Sequence, residues 1–235
     1  MGHRIVGKIA EMHLLPEVRI KIEKNFNIKK LSDVANWADR VRKKRSQGPW
    51  HYCNIAASKS SYLRDRDCPE GECVVEKVKE FARVLKDRGP VEKETKESLM
   101  YLIHFVGDIH QPLHLGNARD RGGNKMARNF KGRETNLHAL WDGGLIYLAG
   151  KSLVQYASDL NRRISQADKK TWNFSKVNDW ANESRVLALD HAYPLDDSSS
   201  RELSKRYIEK SREIIDLRLS QAGVRLAGLL NGLLK

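Results

Sequence analysis

Apolar residues along this chain recur mainly at helical spacing. Between Val75 and Leu85 they fall at Val75, Val78, Phe81, Ala82 and Leu85, and the same rhythm returns at Leu99, Leu102, Ile103 and Val106. Steps of three and four gather such residues into one stripe on a helix. Alternating runs are scarce, no Asn-Gly turn joins two of them, and β-branched residues are scattered among Leu, Ala, Lys and Glu, so a sheet has little to build on. The pattern predicts helices over 4–13, 17–25, 31–45, 74–88, 92–111, 137–149, 151–165, 176–191 and 201–232. Ser32 with Asp33 is the expected cap of the third, Gly89-Pro90 stops the fourth and Pro112 ends the fifth. Loops rich in Gly, Arg, Asp and Ser remain at 46–73 and 115–136. With no linker and no internal repeat, the expected architecture is all-α, a single compact helical domain over 1–235 whose loops carry function.

Composition narrows the classes. The 235 residues are 40% hydrophobic and 31% charged, enough apolar material for a core and too patterned for a disordered chain. The apolar runs at Leu145 to Ala149 and Leu226 to Leu234 are far shorter than the roughly 18 residues of a membrane span, so a soluble protein is expected. An excess of 43 Lys and Arg over 30 Asp and Glu gives a net charge of +13. Such a balance attracts polyanions, nucleic acid above all, yet it also describes an ordinary basic surface and names no partner by itself.

Cys68 and Cys73 stand close together in CPEGEC, where the Pro-Glu-Gly turn can bring the thiols into contact. A local disulfide or half of a metal site would use that spacing, and no second thiol pair completes a four-thiolate cage. The disulfide is preferred, and with it an oxidising compartment, although MGHRIVGKIAEM has no apolar export segment. Cys53 is then expected as an unpaired, buried thiol.

The placement of histidine and aspartate changes the picture more. His104 and Asp108 lie four apart on a predicted helix and share one face, and His138 and Asp142 repeat that spacing in NLHALWD. His110 and His114 follow closely in HFVGDIHQPLH, and all these polar groups sit among Leu, Ile, Val and Trp. Buried without partners they would cost several kcal/mol each, so they need one another or a cation. Imidazole nitrogen with carboxylate oxygen suits zinc. His3, Asp39 and His51, in MGHRIVG, ANWADRVR and PWHYCNIA, are further candidates.

Taken in order, GHRIVG, NWADRVR, WHYCNI, LIHFVGDIHQPLH, RGGN and NLHALWD resemble the zinc-dependent single-strand nuclease and 3′-nucleotidase family, a relative of zinc phospholipase C. The similarity continues through WANESRVLA and AGVRLAGLLN. It implies an all-helical fold holding three zinc ions in a cleft. Carried onto matching positions, Asp39, His51, His104 and Asp108 would hold the first ion, with Asp108 bridging to a neighbour. His114, His138 and Asp142 would hold a more separate second ion. The third would use His3 with the amine and carbonyl of an N-terminal tryptophan. This sequence opens Met1-Gly2-His3, so the family pattern places that tryptophan upstream, and the third ion is expected to be weakly held or absent in a polypeptide starting at this Met1.

The resemblance further implies that Arg42 stabilises the pentacoordinate phosphate and Asn124 contacts it. Tyr52 would stack a nucleobase and Asn54 bind its edge, a mode that tolerates any base but needs it unstacked. His110 matches no ligand position and is expected beside a ligand or bonding backbone, while His13 and His191 are expected to be structural. The activity implied is hydrolysis of single-stranded RNA and DNA to 5′-mononucleotides, with 3′-nucleotides as further substrates, by a secreted or periplasmic monomer without an obligate protein partner. A phospholipase C-like phosphodiesterase and a non-catalytic, zinc-stabilised nucleic-acid-binding domain are the competing expectations. Asn173-Phe-Ser and Asn182-Glu-Ser are glycosylation sequons if the source exports and glycosylates the chain.

Overall fold

In the computed structural model the predicted stripes become helices, and the described residues are 1–88, 93–193 and 201–235. The order is α1 (Gly2–His13), α2 (Pro16–Phe26), α3 (Leu31–Val34), α4 (Trp37–Arg42), a 3₁₀ turn at Gly48–His51, α5 (Arg64–Asp67), α6 (Val74–Arg88) and α7 (Lys93–Ile109). A 3₁₀ turn at Pro112–Leu115 and strands β1 (Ala127–Phe130) and β2 (Arg133–Asn136) lead to α8 (Leu137–Ala139), a π segment at Leu140–Gly144 and α9 (Leu145–Tyr147). Then come α10 (Leu153–Arg163), α11 (Gln166–Phe174), α12 (Val177–Leu187), a π segment at Ala188–Ala192 and α13 (Lys205–Leu234).

The core forms where α1 lies against α13, α3, α10 and α7, with α6 packed on α7. Ile5, Ile9, Leu102, Ile103, Phe105 and Val106 are fully enclosed there. One wide apolar stripe on α7 thus faces both α1 and α6, and the few polar side chains that interrupt it are forced towards one another. The fold is all-α apart from one hairpin, and no helix among the described residues is long and apolar enough to cross a membrane.

Four expectations are corrected by local chemistry. The helix expected over 31–45 breaks after Val34 and restarts at Trp37. The break frees the Ala35 carbonyl, which accepts from His104 Nδ1 at 2.7 Å instead of from the next helical turn. Ser32 is not a cap; the cap position is Lys30, and the Ser32 amide and hydroxyl both donate to the buried Glu11 carboxylate, at 3.0 and 2.9 Å. Within the expected loop 115–136, β1 and β2 pair antiparallel. Lys131 and Gly132 both take positive φ, 51° and 73°, which is the primed turn that Asn-Gly usually supplies. Finally α11, and the single turn α5, lie outside the helices expected. Ser165 caps α11 in a box with Asp168, and Ser152 does the same for α10 with Gln155.

The helices expected over 137–149 and 176–191 each pass through a π segment, and that expected over 201–232 starts only at Lys205, after its cap Ser204. Gly89-Pro90 and residue 92 lie outside the described residues. Cys68 and Cys73 form the expected disulfide, with Cα atoms 6.0 Å apart. Cys53 is free and buried, and that burial pushes its thiol pKa up to about 12, so it is inert rather than nucleophilic.

Candidate metal centre

His104 and Asp108 leave α7 on one face and are both enclosed, so each must find partners within the protein. Four segments bring them. Asp108 Oδ2 lies 2.9 Å from His51 Nδ1 and 3.1 Å from His104 Nε2, while its Oδ1 lies 3.3 Å from both His3 Nε2 and His114 Nδ1. The restart of α4 delivers Asp39, whose Oδ1 is 3.6 Å from His104 Nε2 and 3.8 Å from His51 Nδ1. Two potential metal-holding groups result, His3 with His104 and Asp108, and Asp39 with His51 and His104. They share His104, whose ring stacks on His3 at 3.8 Å.

A third group forms a little apart. His114 Nε2 and His138 Nε2 each lie 3.2 Å from an oxygen of Asp142. The π segment widens the helix where Asp142 leaves it, as such bulges often do at functional sites.

Backbone carbonyls fix the rings. Nδ1 donates to the Ala35 carbonyl from His104, to the His51 carbonyl from His114 and to the Gly122 carbonyl from His138, at 2.7, 2.7 and 2.8 Å. In a neutral imidazole whose Nδ1 carries the proton, Nε2 is an acceptor, so all three rings aim a lone pair at carboxylate oxygens that are acceptors too. Acceptor facing acceptor is repulsive unless a proton or a cation lies between. Tying the outer nitrogen to a carbonyl is also how ligating histidines are oriented. On this chemistry the residues fit divalent metal, and zinc in particular by their mixed nitrogen and oxygen donors. His3 Nδ1 and His51 Nε2, buried with no hydrogen-bond partner, are the two ring atoms that the arrangement leaves unanswered.

The electrostatics say the same thing. Burial opposes charge on Asp108, yet His104, His114 and His3 hold its carboxyl well below the usual range. Burial likewise opposes Asp142, and His114 and His138 outweigh it. Against its own burial His104 is raised by Asp108, and His114 reaches about 9 through Asp108 and Asp142. Protons are thus drawn to the places where a metal would sit, and metal binding must displace them.

A cleft of about 1000 Å³ opens over all three groups, large enough for nucleotide-sized ligands. Arg42, Tyr52, Asn54 and Asn124 line it with the metal-facing side chains. Arg42 approaches Asp39 at 3.8 Å. Tyr52 is exposed, which excludes a core role for its ring. Asn124 Nδ2 donates to the Arg121 carbonyl at 2.8 Å, so its Oδ1 is left free. Asp39 and Asp142 each keep 45% of the side chain exposed at the cleft, although protein packed around the Asp142 carboxylate still opposes its charge.

His110 lies behind the centre. Its Nδ1 donates to the Val106 carbonyl at 2.7 Å and its Nε2 accepts from Arg225 at 2.9 Å, and burial with Arg218 and Arg225 nearby keeps it neutral. It therefore bonds backbone, one of its two expected roles. His13 bonds Asn161 at 2.8 Å, whereas His191 is exposed. Sequence reasoning missed Gln111, whose Nε2 donates to Asp142 Oδ1 at 2.7 Å and whose carbonyl oxygen caps the Pro112–Leu115 turn carrying His114. It also missed Glu183, which neutralises the buried Arg218 and Arg225. Their spacing of seven places both arginines on the stripe of α13 that carries Ile214, Ile215, Leu219, Ala222 and Leu226, and that spacing was the available signal.

Comparison with known proteins identifies the family. The family model described as S1/P1 nuclease matches residues 1–235. Endonuclease 3 of Arabidopsis thaliana is 31% identical over 256 residues, covering 98% of this chain and 86% of the plant protein. Endonuclease 2 of the same plant is 32% identical over 258 residues, with 98% and 88% covered. Nuclease S1 of Aspergillus oryzae is 28% identical over 262 residues, with 98% and 90% covered. With a match from first residue to last, the chain belongs to the S1/P1 nuclease family.

Proposed function

We propose that this protein is a zinc-dependent phosphodiesterase that cleaves single-stranded RNA and DNA to 5′-mononucleotides and also acts on 3′-nucleotides. The observation that carries the proposal is the convergence of three His/Asp groups on the floor of one cleft whose walls hold Arg42, Asn124 and Tyr52. Asp39, His51, His104 and Asp108 would hold one ion; His114, His138 and Asp142 a second; and His3 with Asp108 would serve a third. Zinc, when bound, would supply Lewis acidity towards phosphoryl oxygens and lower the pKa of water.

The chain's own residues bind and orient. Arg42 offers a forked donor to the non-bridging phosphate oxygens, and the second N–H of the Asn124 amide, whose Nδ2 already donates once to the Arg121 carbonyl, would hold the phosphate from the RGGN loop. Tyr52 lines the cleft with an exposed side chain on which a base would stack, and Asn54, two residues further along the same segment and also lining the cleft, would bond the base edge. Stacking of this kind requires a base released from its duplex. The extent of the family match supports taking residues 1–235 as one functional domain. The Cys68–Cys73 disulfide supports secretion or a periplasmic location.

Offering the zinc-loaded protein single-stranded DNA, 3′-AMP and phosphatidylcholine vesicles in parallel tests the proposal. Hydrolysis of the first two and not of the lipid is expected. Hydrolysis of the lipid alone would move the protein to the phospholipase branch, and DNA binding without any hydrolysis would make it a binding domain.

A further inference from the structure

Arg121 is the feature of the cleft that the ligand and phosphate assignments above leave unused. Arg121, Gly122 and Gly123 take three successive positive φ values, 55°, 62° and 82°. The glycines adopt that backbone freely, and at Gly122 a side chain would collide with the Leu113 carbonyl. Arginine there is strained, and glycine would have relieved the strain.

The loop is anchored rather than loose. Asp120 Oδ1 accepts from the Gly123 amide and, at 2.9 Å, from the Tyr193 hydroxyl, which in turn accepts from the Asn117 amide at 2.7 Å. Gly122 holds His138 by its carbonyl, which ties the loop to the separate metal group. Arg42 and Arg121 are the only lysine or arginine side chains lining the cleft among the described residues. Arg42 stands beside Asp39, and Arg121 precedes Gly122, whose carbonyl holds His138. Arg42 is partly engaged by Asp39, while the exposed guanidinium of Arg121 has no hydrogen-bond or ion-pair partner among the described residues.

We propose that Arg121 binds the phosphate adjacent to the scissile one on the His138 side of the cleft, so that the site prefers a strand to a mononucleotide. This deepens the nuclease reading and rests on it. A guanidinium without a counter-charge, carried on an anchored loop, is available to phosphate, and its planar fork can grip two oxygens at once.

The test compares wild type, Arg121→Gly and Arg121→Lys, all zinc-loaded. Binding of a labelled, cleavage-resistant phosphorothioate decanucleotide is followed by anisotropy over a range of salt, and cleavage of the plain decanucleotide is measured beside that of 3′-AMP. Arg121→Gly is expected to weaken binding about tenfold and to flatten the slope of log K against log salt by about 0.7, one phosphate contact. The ratio of kcat/KM for the decanucleotide to that for 3′-AMP should fall about tenfold. Arg121→Lys should keep the slope and lose part of the affinity. Because glycine relaxes the backbone, the melting temperature of Arg121→Gly should not fall below wild type. An unchanged slope and an unchanged ratio in Arg121→Gly would overturn the inference while leaving the nuclease reading intact. Wild type that binds in an Arg121-dependent way and cleaves nothing would do the reverse, and wild type that fails to bind would overturn both.

Discussion

Asp108→Asn is expected to reduce cleavage of single-stranded DNA about a thousandfold or more, on the scale of losing a principal source of transition-state charge stabilisation. Asp108 is the one carboxylate in contact with four imidazoles, His3 and His114 through Oδ1 and His51 and His104 through Oδ2. Asparagine removes the negative charge that the four rings share, and it puts a neutral amide beside them, although His104 and His114 already commit Nδ1 to backbone carbonyls. Zinc content, measured on the same sample, should fall with activity. His13→Asn, at a ring that bonds Asn161 and belongs to none of the metal groups, should leave zinc content as it is. Undiminished cleavage by Asp108→Asn would place the chemistry elsewhere.

The second large effect is on stability. Glu183 receives Arg225 through two nitrogens, at 2.6 and 2.7 Å, and Arg218 at 2.5 Å, and both arginines are almost completely buried. Arg218 also donates to the His110 carbonyl, at 3.2 Å, and Arg225 to the His110 ring, so the cluster clamps the residue that follows α7. Glu183→Ala would leave two buried guanidinium groups without a counter-charge. Breaking a fully buried pair costs about 3–5 kcal/mol. Since the Glu183 side chain is still 34% exposed, about 2–4 kcal/mol is expected, or a fall of roughly 5–15 °C in melting temperature. Burial works against the Glu183 carboxylate, but Arg225 and Arg218 prevail and its pKa is lowered. A depressed carboxyl contributes stability above its unfolded value and loses it as pH falls through the folded one. The variant should therefore lose less stability than wild type on acidification below the ordinary glutamate range. An unchanged melting temperature in Glu183→Ala would show that solvent already neutralises the cluster.

Much of the centre could be read from spacing, because a helix imposes its own geometry. His104 and Asp108, like His138 and Asp142, stand four positions apart, and each pair does converge. The remaining donors could not be found that way. Asp39 and His51 come from segments remote in sequence, and only their resemblance to family motifs assigned them to the same centre. The break before α4 was hidden for a related reason. Helix propensity over 31–45 is satisfactory, and the break coincides with a hydrogen bond from the Ala35 carbonyl to a ring on another helix. Tertiary demand outweighed a weak local preference. Lys131-Gly132 and the Ser165 capping box were different, since the turn and capping signals were present in the sequence and went unused. Gln111 and Glu183 have no periodic signature, because each acts on a partner 31 or more residues away.

The most direct test of a metal-dependent phosphodiesterase is to strip the purified protein with a chelator, restore it with zinc, and follow hydrolysis of single-stranded DNA together with the melting temperature. Removal should abolish cleavage and lower the melting temperature, since protons then replace metal among the buried imidazoles and metal affinity contributes to folding. Zinc should restore both. Cleavage that continues unchanged in the stripped protein would contradict the account.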